Sequence, residues 1–302
     1  MPMALYLIRL LRDWKGAPGI IGYRRLFNPL SANGKGKEKV NHLPEKLPDA
    51  ELEYIDVTQM TDARGWLTEL PLDATIVLCG GDGTINHFVN NTRGIEIRQK
   101  ILYYPCGSGN DFAREVQGDK DFIELNPYIQ NLPVATVQGK EYLFINGVGY
   151  GIDGYCCEVG DKIRAETPNK KIDYTGIAIK GLLFHYKPTN ATVIVDGETH
   201  EFKKVWIAPT MKGWYYGGGM KPAPAQDRTA PDNKVSVMLF HGTGKLKTLC
   251  IFPSLFKGEH VKHTKHISIF TGKEITVKFD EPRALQVDGE TILGVTEYTV
   301  KA

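Results

Sequence analysis

The 302-residue chain is long enough for two ordinary domains, and 42% hydrophobic and 24% charged residues are typical of a folded globular protein. A formal net charge of +2 gives no reason to expect a nucleic-acid partner, which would need a clustered basic face. No apolar run approaches the roughly 18 to 20 residues that cross a bilayer, so we expect no transmembrane segment. The five cysteines, two of them adjacent at Cys156 and Cys157, favour free thiols in the cytoplasm over a disulfide framework.

Residues 1–20 are predicted to form an N-terminal extension. Leu7, Leu10 and Trp14 fall at helical spacing, and basic residues lie between them. One interpretation is a basic amphipathic helix on a membrane surface. The other is an ordinary packed helix, or a start codon placed too early.

Strands alternate with helices between residues 21 and 132. Thr75–Cys79 and Ile101–Tyr104 are continuous apolar runs, which suit strands buried on both faces of a parallel sheet. Other predicted elements are a strand ending at Phe27, a strand over Glu51–Val57 and a helix over Thr61–Leu70, capped by Thr61 or Asp62. This alternation predicts a doubly wound α/β domain.

The pattern changes after about residue 132 to short β-rich segments separated by Gly, Pro and Asp/Asn turns. Only Tyr174–Tyr186 and Leu246–Phe256 have a helical pattern. This is typical of an antiparallel sandwich or barrel, predicted over residues 133–290. Two domains predict a cleft between them.

A glycine-rich turn, Gly80-Gly81-Asp82-Gly83-Thr84-Ile85-Asn86, follows the apolar run directly and precedes a helical pattern. A strand, a glycine turn and a helix N-terminus together present backbone N–H groups to phosphate. Glycine allows positive φ angles or a close approach of the ligand. Asp82 is a candidate to face Mg²⁺ or a substrate hydroxyl, and Thr84 and Asn86 to donate hydrogen bonds. The alternative is a tight turn in which Asp82 only caps the helix.

A second turn of the same kind, Pro105–Arg114, follows the second apolar run and opens another helix. Two such turns on neighbouring parallel strands would meet at the carboxyl edge of the sheet, where α/β folds bind ligands. Gly107, Ser108 and Asn110 are candidates to contact nucleotide. Asp111 is either a helix cap or a functional acid.

A third motif, Gln286–Glu290, contains Asp288-Gly289-Glu290. Taken alone, it predicts a hairpin turn. The second copy, Asp196-Gly197-Glu198, is interpreted in that way.

Together the motifs resemble the bacterial family of diacylglycerol and sphingosine kinase-like lipid kinases. They cover residues 24 to 295 in family order: Asn28-Pro-x-Ser31, Gly80-Gly-Asp-Gly-Thr-x-Asn86, Pro105-x-Gly-Ser-x-Asn-Asp-Phe-Ala-Arg114, Phe144-x-Asn146-x-x-Gly149-x-Gly151-x-Asp153, Gly217-Gly-Gly-Met-Lys221 and Gln286-x-Asp-Gly-Glu290. The resemblance implies an α/β nucleotide domain similar to that of NAD kinases, over residues 21–132, followed by a β-sandwich. It also implies that residues 291–302 return toward the first domain.

The resemblance further implies ATP and Mg²⁺ as cofactors. By position, the nucleotide contacts would be Asn28, Ser31, Thr58, Gly80, Gly81, Gly83, Thr84, Asn86, Gly107, Ser108, Asn110 and Asp111. Glu290 matches the proposed general base, and Asp82 and Asp288 match carboxylates around magnesium and the hydroxyl. Asp227 and Asp232 are the remaining acids of a structural metal loop in the second domain.

Three departures from the family pattern bear on activity. His87 stands where the glycine loop usually continues with Glu, and Asn91 replaces a Gly. Ala135 replaces an Asp thought to support the magnesium network, and restoring Asp there is expected to raise activity if its loss weakens the enzyme. The metal loop is lengthened, and Asn233 and Ser236 replace its usual Gly and Asp.

The resemblance therefore implies an ATP-dependent kinase of a lipid hydroxyl, on diacylglycerol or a related lipid, that meets its substrate at the inner membrane face. The departures leave open a family member that binds nucleotide or lipid without efficient phosphotransfer. A kinase of a small soluble hydroxyl compound on the same fold is also open, as is a homodimer.

Overall fold

The computed structural model of the protein describes residues 22–27, 40–47, 51–56, 62–167 and 172–302. The expectations for residues 1–20 and for Asn28, Ser31 and Thr58 lie outside these ranges. Within the described ranges, no helix combines the length and the apolar character needed to cross a bilayer.

The first domain is an α/β layer with a five-stranded sheet in the order β2-β1-β3-β4-β5. Its elements are β1 (Gly22–Phe27), α1 (Leu43–Lys46), β2 (Glu51–Asp56), α2 (Ala63–Glu69), β3 (Thr75–Gly80), α3 (Asp82–Asn91), β4 (Lys100–Pro105), α4 (Asp111–Val116), β5 (Ile123–Glu124) and α5 (Asn126–Ile129). Strands β1 to β4 are parallel, and β5 runs antiparallel to β4. The central strand β3 is buried along its whole length, as its apolar run predicts. Asp62 caps α2, since its side chain accepts a hydrogen bond from the N–H of Gly65.

The second domain is built on a ten-stranded antiparallel sheet. Its elements are β6 (Val134–Val137), β7 (Lys140–Leu143), β8 (Gly147–Tyr150), α6 (Ile152–Glu166), α7 (Tyr174–Lys180), a π-helical turn (Gly181–His185), β9 (Thr189–Val195), β10 (Glu198–Val205), β11 (Thr210–Met211), β12 (Val235–Phe240), α8 (Lys245–Ile251), two 3-10 segments (Phe252–Lys257 and Glu259–Lys262), β13 (Ile267–Gly272), β14 (Glu274–Val287) and β15 (Glu290–Lys301). A β-sandwich core of Val, Ile, Leu, Phe and Tyr side chains lies inside it. The predicted fold class, α/β followed by a β-sandwich, is confirmed.

The expected return of residues 291–302 to the first domain is wrong. Strand β15 pairs with β14 along its length and with β6 at its end, so it belongs to the sheet of the second domain. Residues Val295, Tyr298 and Val300 on this strand are fully buried in the sandwich core. Tyr298 and Val300 are alternate residues, so they bury the same face of the strand there.

Helix α6 does not stand out in the sequence. It follows Gly151, whose φ of 114° is accessible to glycine, and it contains a further glycine, Gly154, in its first turn. A Cβ at Gly154 would lie 2.0 Å from the carbonyl oxygen of Ala284. The glycine therefore lets the helix lie directly on β14, although glycine weakens a helical pattern in sequence.

Candidate active site

The two glycine turns meet at the carboxyl edge of the first sheet. The N–H groups of Cys106 and Gly107 both donate to the carbonyl oxygen of Gly80, at 2.8 and 3.0 Å. A Cβ at Gly107 would lie 2.4 Å from the Cα of Gly81. Glycine at position 107 is thus required for the turns to form one continuous surface, as expected of neighbouring parallel strands, and a Cβ at Gly81 would lie 3.1 Å from the Cα of Gly107.

Gly83 lies in the first turn of α3 beside open space. A Cβ there would meet no atom within 4 Å, and its φ is not positive. Neither packing nor backbone conformation therefore explains the glycine. The first amides of a helix have no intrahelical acceptor, and an anion can bind them. A helix start without a side chain at this position lets a phosphate approach the amides closely.

The side chain of Asp82 links the first glycine turn to helix α4, which follows the second turn. Its Oδ2 accepts a hydrogen bond from the N–H of Asp111, and its Oδ1 accepts one from the N–H of Phe112, both at 2.9 Å. The side chain of Asn146 also donates to Oδ1, at 3.0 Å. Asp82 thus caps α4 rather than its own helix, a possibility that the local sequence does not indicate.

Asp111 is buried where the two domains meet. Its Oδ2 accepts a hydrogen bond from the N–H of Gly218 at 2.7 Å, while its Oδ1 has no hydrogen-bond partner among the described residues. Burial first, and the nearby Asp82 second, raise the pKa of Asp111 to about 6. Mg²⁺ in phosphate-transfer sites is held by one or two carboxylates plus phosphate oxygens, so this pair with its unused oxygen fits that ion.

Asp288 was expected to face magnesium, but its carboxylate accepts hydrogen bonds from the protein itself. It accepts hydrogen bonds from the backbone N–H groups of Ile145, Asn146 and Gly147 at 2.6 to 3.0 Å. The side chain of Asn86 donates to it as well, at 3.1 Å. Asp288 therefore holds the β14–β15 hairpin against the start of β8 in its own domain, and its bond with Asn86 reaches the first domain.

Three polar residues predicted to contact nucleotide shape the loops in this structure. Asn86 donates to the carbonyl oxygen of Leu143 at 3.0 Å as well as to Asp288. Asn110, at a φ of 49°, accepts from the N–H of Gly107 and donates to its carbonyl oxygen. Thr84 is buried against Gly80. Ser108, in contrast, is exposed and available to a ligand.

Glu290 lies at the start of β15, beside helix α3 of the first domain. Its Oε1 is 3.2 Å from the Nε2 of His87 on α3, and both side chains are more than half exposed. The hydrogen bond between them lowers the pKa of Glu290 and raises the pKa of His87. Glu290 is consequently ionised near neutral pH and can accept a proton.

Sequence reasoning missed a buried ion pair between the domains. Arg228 lies 2.9 Å from Glu115, and their side chains are only 3% and 7% exposed. The same guanidinium donates to the side-chain oxygen of Asn146 at 3.0 Å, and Asn146 donates to Asp82. A chain of hydrogen bonds thus connects Glu115 with the first glycine turn. A single arginine in an irregular segment gave no periodic signal.

The expected metal loop of the second domain finds no support in the described ranges. Asp227 accepts hydrogen bonds from the N–H and the hydroxyl of Thr229, and Asp232 pairs with Lys234 at 3.2 Å. Among the residues that the structure describes, no three His, Cys, Asp or Glu side chains are grouped to hold a metal.

Ala135 is fully buried on β6, opposite Tyr142 and Val300, in the sandwich core. An aspartate there would be surrounded by apolar side chains, and an unpaired buried charge is strongly destabilising. The experiment of restoring Asp at this position would therefore change stability together with activity.

Comparison with known proteins agrees with this arrangement. The diacylglycerol kinase catalytic domain matches residues 23–136. The YegS C-terminal NAD kinase beta sandwich-like domain matches residues 146–301.

Two diacylglycerol kinases and a solved structure match most of the chain. A diacylglycerol kinase of Bacillus subtilis is 24% identical over 281 residues, 88% of this chain and 89% of the relative. A diacylglycerol kinase of Mycobacterium tuberculosis is 24% identical over 251 residues, 78% and 79% of the two chains. The crystal structure of a diacylglycerol kinase from Bacillus anthracis shares the fold, with a TM-score of 0.61 at 20% identity over 93% of both chains. The chain therefore belongs to the family of diacylglycerol kinase catalytic domains, in the two-domain form with a YegS-type β-sandwich.

Proposed function

We propose that the protein transfers the γ-phosphate of ATP to a hydroxyl group of a lipid, diacylglycerol or a related one, at the inner face of the membrane. The observation that carries this proposal is the open helix start at Gly83, which lies on the same helix as the His87 partner of Glu290. This arrangement supports a phosphate-binding surface on the first domain with a general base from the second domain beside it.

In this proposal, the amides of Gly81 and Gly83 and the hydroxyl of Ser108 bind the phosphates of ATP. Asn28, Ser31 and Thr58, outside the described ranges, are assigned to the remainder of the nucleotide by the family resemblance. Asp82 and Asp111 would hold Mg²⁺, which neutralises charge on the transferring phosphate when bound. Phosphoryl transfer otherwise depends on positioning, to which the hydrogen bond from Asn146 to Asp82 contributes.

The carboxylate of Glu290 accepts the proton of the lipid hydroxyl as that oxygen attacks the γ-phosphorus. The bond from the γ-phosphorus to the bridging oxygen breaks, and ADP leaves. Pairing with His87 holds Glu290 in its ionised form before the attack.

The test is incubation of the purified full chain with γ-labelled ATP, Mg²⁺ and mixed micelles that contain diacylglycerol or other hydroxyl lipids. A labelled phospholipid is expected. Gly83→Ala should fold normally but lose most activity, because the added methyl group occupies the space of the phosphate. Gly244→Ala is the matched control, since Gly244 also has nothing within 4 Å of its Cβ and a φ of −86°. Full activity of Gly83→Ala, or no product from any lipid, contradicts the proposal.

A second candidate is nucleotide binding without efficient transfer. The three hydrogen bonds that Asp82 accepts from the protein, together with Ala135 in place of an acid, favour it. Calorimetry that shows binding of Mg-ATP, while the same preparation forms no phospholipid, would select this candidate.

A further inference from the structure

Three large apolar side chains are exposed on one side of the second domain. Ile179 of α7, Phe184 of the π-helical turn and Leu246 of α8 are 44%, 72% and 77% exposed. Lys245 donates to the carbonyl oxygen of Leu183 at 2.7 Å, which places the start of α8 against the π-helical turn. Single exposed apolar residues are ordinary, but a group on adjoining elements indicates an interaction surface.

The chain segments that form these elements carry charge of one sign. Residues 174–188 and 244–257 contain five lysines and no aspartate or glutamate. The whole chain has 37 basic and 35 acidic residues, so composition does not explain the imbalance. Lys180, Lys245 and Lys247 are exposed beside the apolar side chains. We call these three lysines with Ile179, Phe184 and Leu246 the basic apolar face.

The basic apolar face rests on packed elements and borders a cavity. Ala178, Leu182 and Ile251 lie buried beneath it in one cluster. A cavity of about 520 Å³ is lined by His185, Tyr186, Lys187 and Pro188, which directly follow Phe184, and by Leu293 and Gly294 of β15. Strand β15 begins with Glu290, three positions before Leu293, and Glu158 and Glu281 also line the cavity.

We propose that the basic apolar face docks the protein on a bilayer that contains anionic lipids. Phe184 and Leu246 enter the boundary between headgroups and acyl chains, and the lysines contact the anionic headgroups. A second copy of the chain fits the face poorly, because a symmetric contact would oppose lysine to lysine without an acidic residue. The inference rests on the proposed function only in that a membrane-bound acceptor requires the protein to visit the bilayer.

The test uses the full chain without ATP and vesicles of phosphatidylcholine, with or without phosphatidylglycerol as the anionic lipid. Sedimentation should show binding to the anionic vesicles that weakens as salt is raised. Phe184→Ser with Leu246→Ser should weaken binding about tenfold or more, and Lys180→Gln or Lys247→Gln about fivefold each. Leu72→Ser is the matched control, since Leu72 is 65% exposed on the first domain and should have no effect.

A second measurement does not depend on loss of binding. Phe184→Trp should show fluorescence quenching by lipids brominated on their acyl chains beyond that of the wild-type tryptophans, and Leu72→Trp should not. Equal vesicle binding by the double serine variant and the wild type would overturn the proposal. So would dissociation of a dimer by Phe184→Ser in a chain that never binds vesicles, which would assign the face to a second copy.

The outcomes separate this proposal from the proposed function. A protein that phosphorylates lipid in micelles but binds no anionic vesicle refutes docking alone. A protein that docks through Phe184 but phosphorylates no lipid refutes the kinase alone.

Discussion

The Nε2 atom of His87 lies 3.2 Å from the Oε1 atom of Glu290, and this contact joins helix α3 of the first domain to strand β15 of the second. The family pattern usually has a Glu at position 87, where a second carboxylate would face the proposed base. A protonated histidine attracts the carboxylate of Glu290, whereas a glutamate would repel it. The histidine favours the ionised carboxylate, which is the form that accepts a proton.

Replacement of His87 by Asn should move the acid side of the kcat/KM pH profile to higher pH. The imidazole lowers the pKa of Glu290, so its removal lets the carboxyl group take up a proton at a higher pH. General-base function is then lost earlier as the pH falls. His200→Asn is the control, because His200 lies 3.5 Å from Glu198 away from the site. Coincident profiles for His87→Asn and wild type would contradict the assignment.

Glu290→Gln should lower kcat by roughly 10²–10⁴, because the amide cannot accept the hydroxyl proton. The affinity for Mg-ATP, measured by calorimetry, should stay unchanged because Glu290 is not assigned to the phosphates. The second Asp-Gly-Glu turn provides a control, and Glu198→Gln should leave both quantities at the wild-type level. A Glu290→Gln enzyme with normal kcat would exclude this residue as the base.

Arg228→Met should destabilise the fold by roughly 3–5 kcal/mol, since it leaves the buried carboxylate of Glu115 without its partner. The double variant Arg228→Met with Glu115→Leu should recover part of this loss, because no uncompensated charge remains. Urea unfolding measures both values. Arg164→Met is the exposed control, and loss of its pair with Asp161 should cost about 0–1 kcal/mol. Equal losses in the single and double variants would show that charge burial is not the cause.

Asp153→Asn should stabilise the protein at pH 7.5, on the order of 1–3 kcal/mol. Burial raises the pKa of Asp153 to about 6 from an ordinary 3.8, so the folded state favours the protonated acid. The contribution of this group to stability is full below about pH 4 and is lost as the pH rises through about 6. The advantage of the amide should therefore vanish at pH 4 in urea unfolding curves. An advantage independent of pH would point to packing instead.

Local sequence predicted the parts of the site that depend on neighbours in the chain. An apolar run followed by glycines identified β3 and its turn, and a second such run identified β4 and the turn that meets it. The hairpin at Asp196-Gly197 was predicted from its Asp-Gly-Glu sequence, and both residues have positive φ.

The destinations of the acidic side chains could not be predicted in this way. Two of the partners of Asp82 are 29 and 30 positions away, and the backbone partners of Asp288 are more than 140 positions away along the chain. Nothing in the residues around an Asp-Gly turn distinguishes a carboxylate that will face a metal from one that will accept backbone N–H groups. Arg228 was missed for the same reason, since its structural role depends on Glu115, which is 113 positions away.

The contacts of Asp288 have a consequence for the catalytic cycle. Its three backbone donors lie on its own domain and would stay in place if the two halves moved apart, so only the bond from Asn86 would be lost. The turn that carries Glu290 is therefore anchored in the second domain. Any hinge motion would move the proposed base as a unit with that domain, relative to the phosphate end.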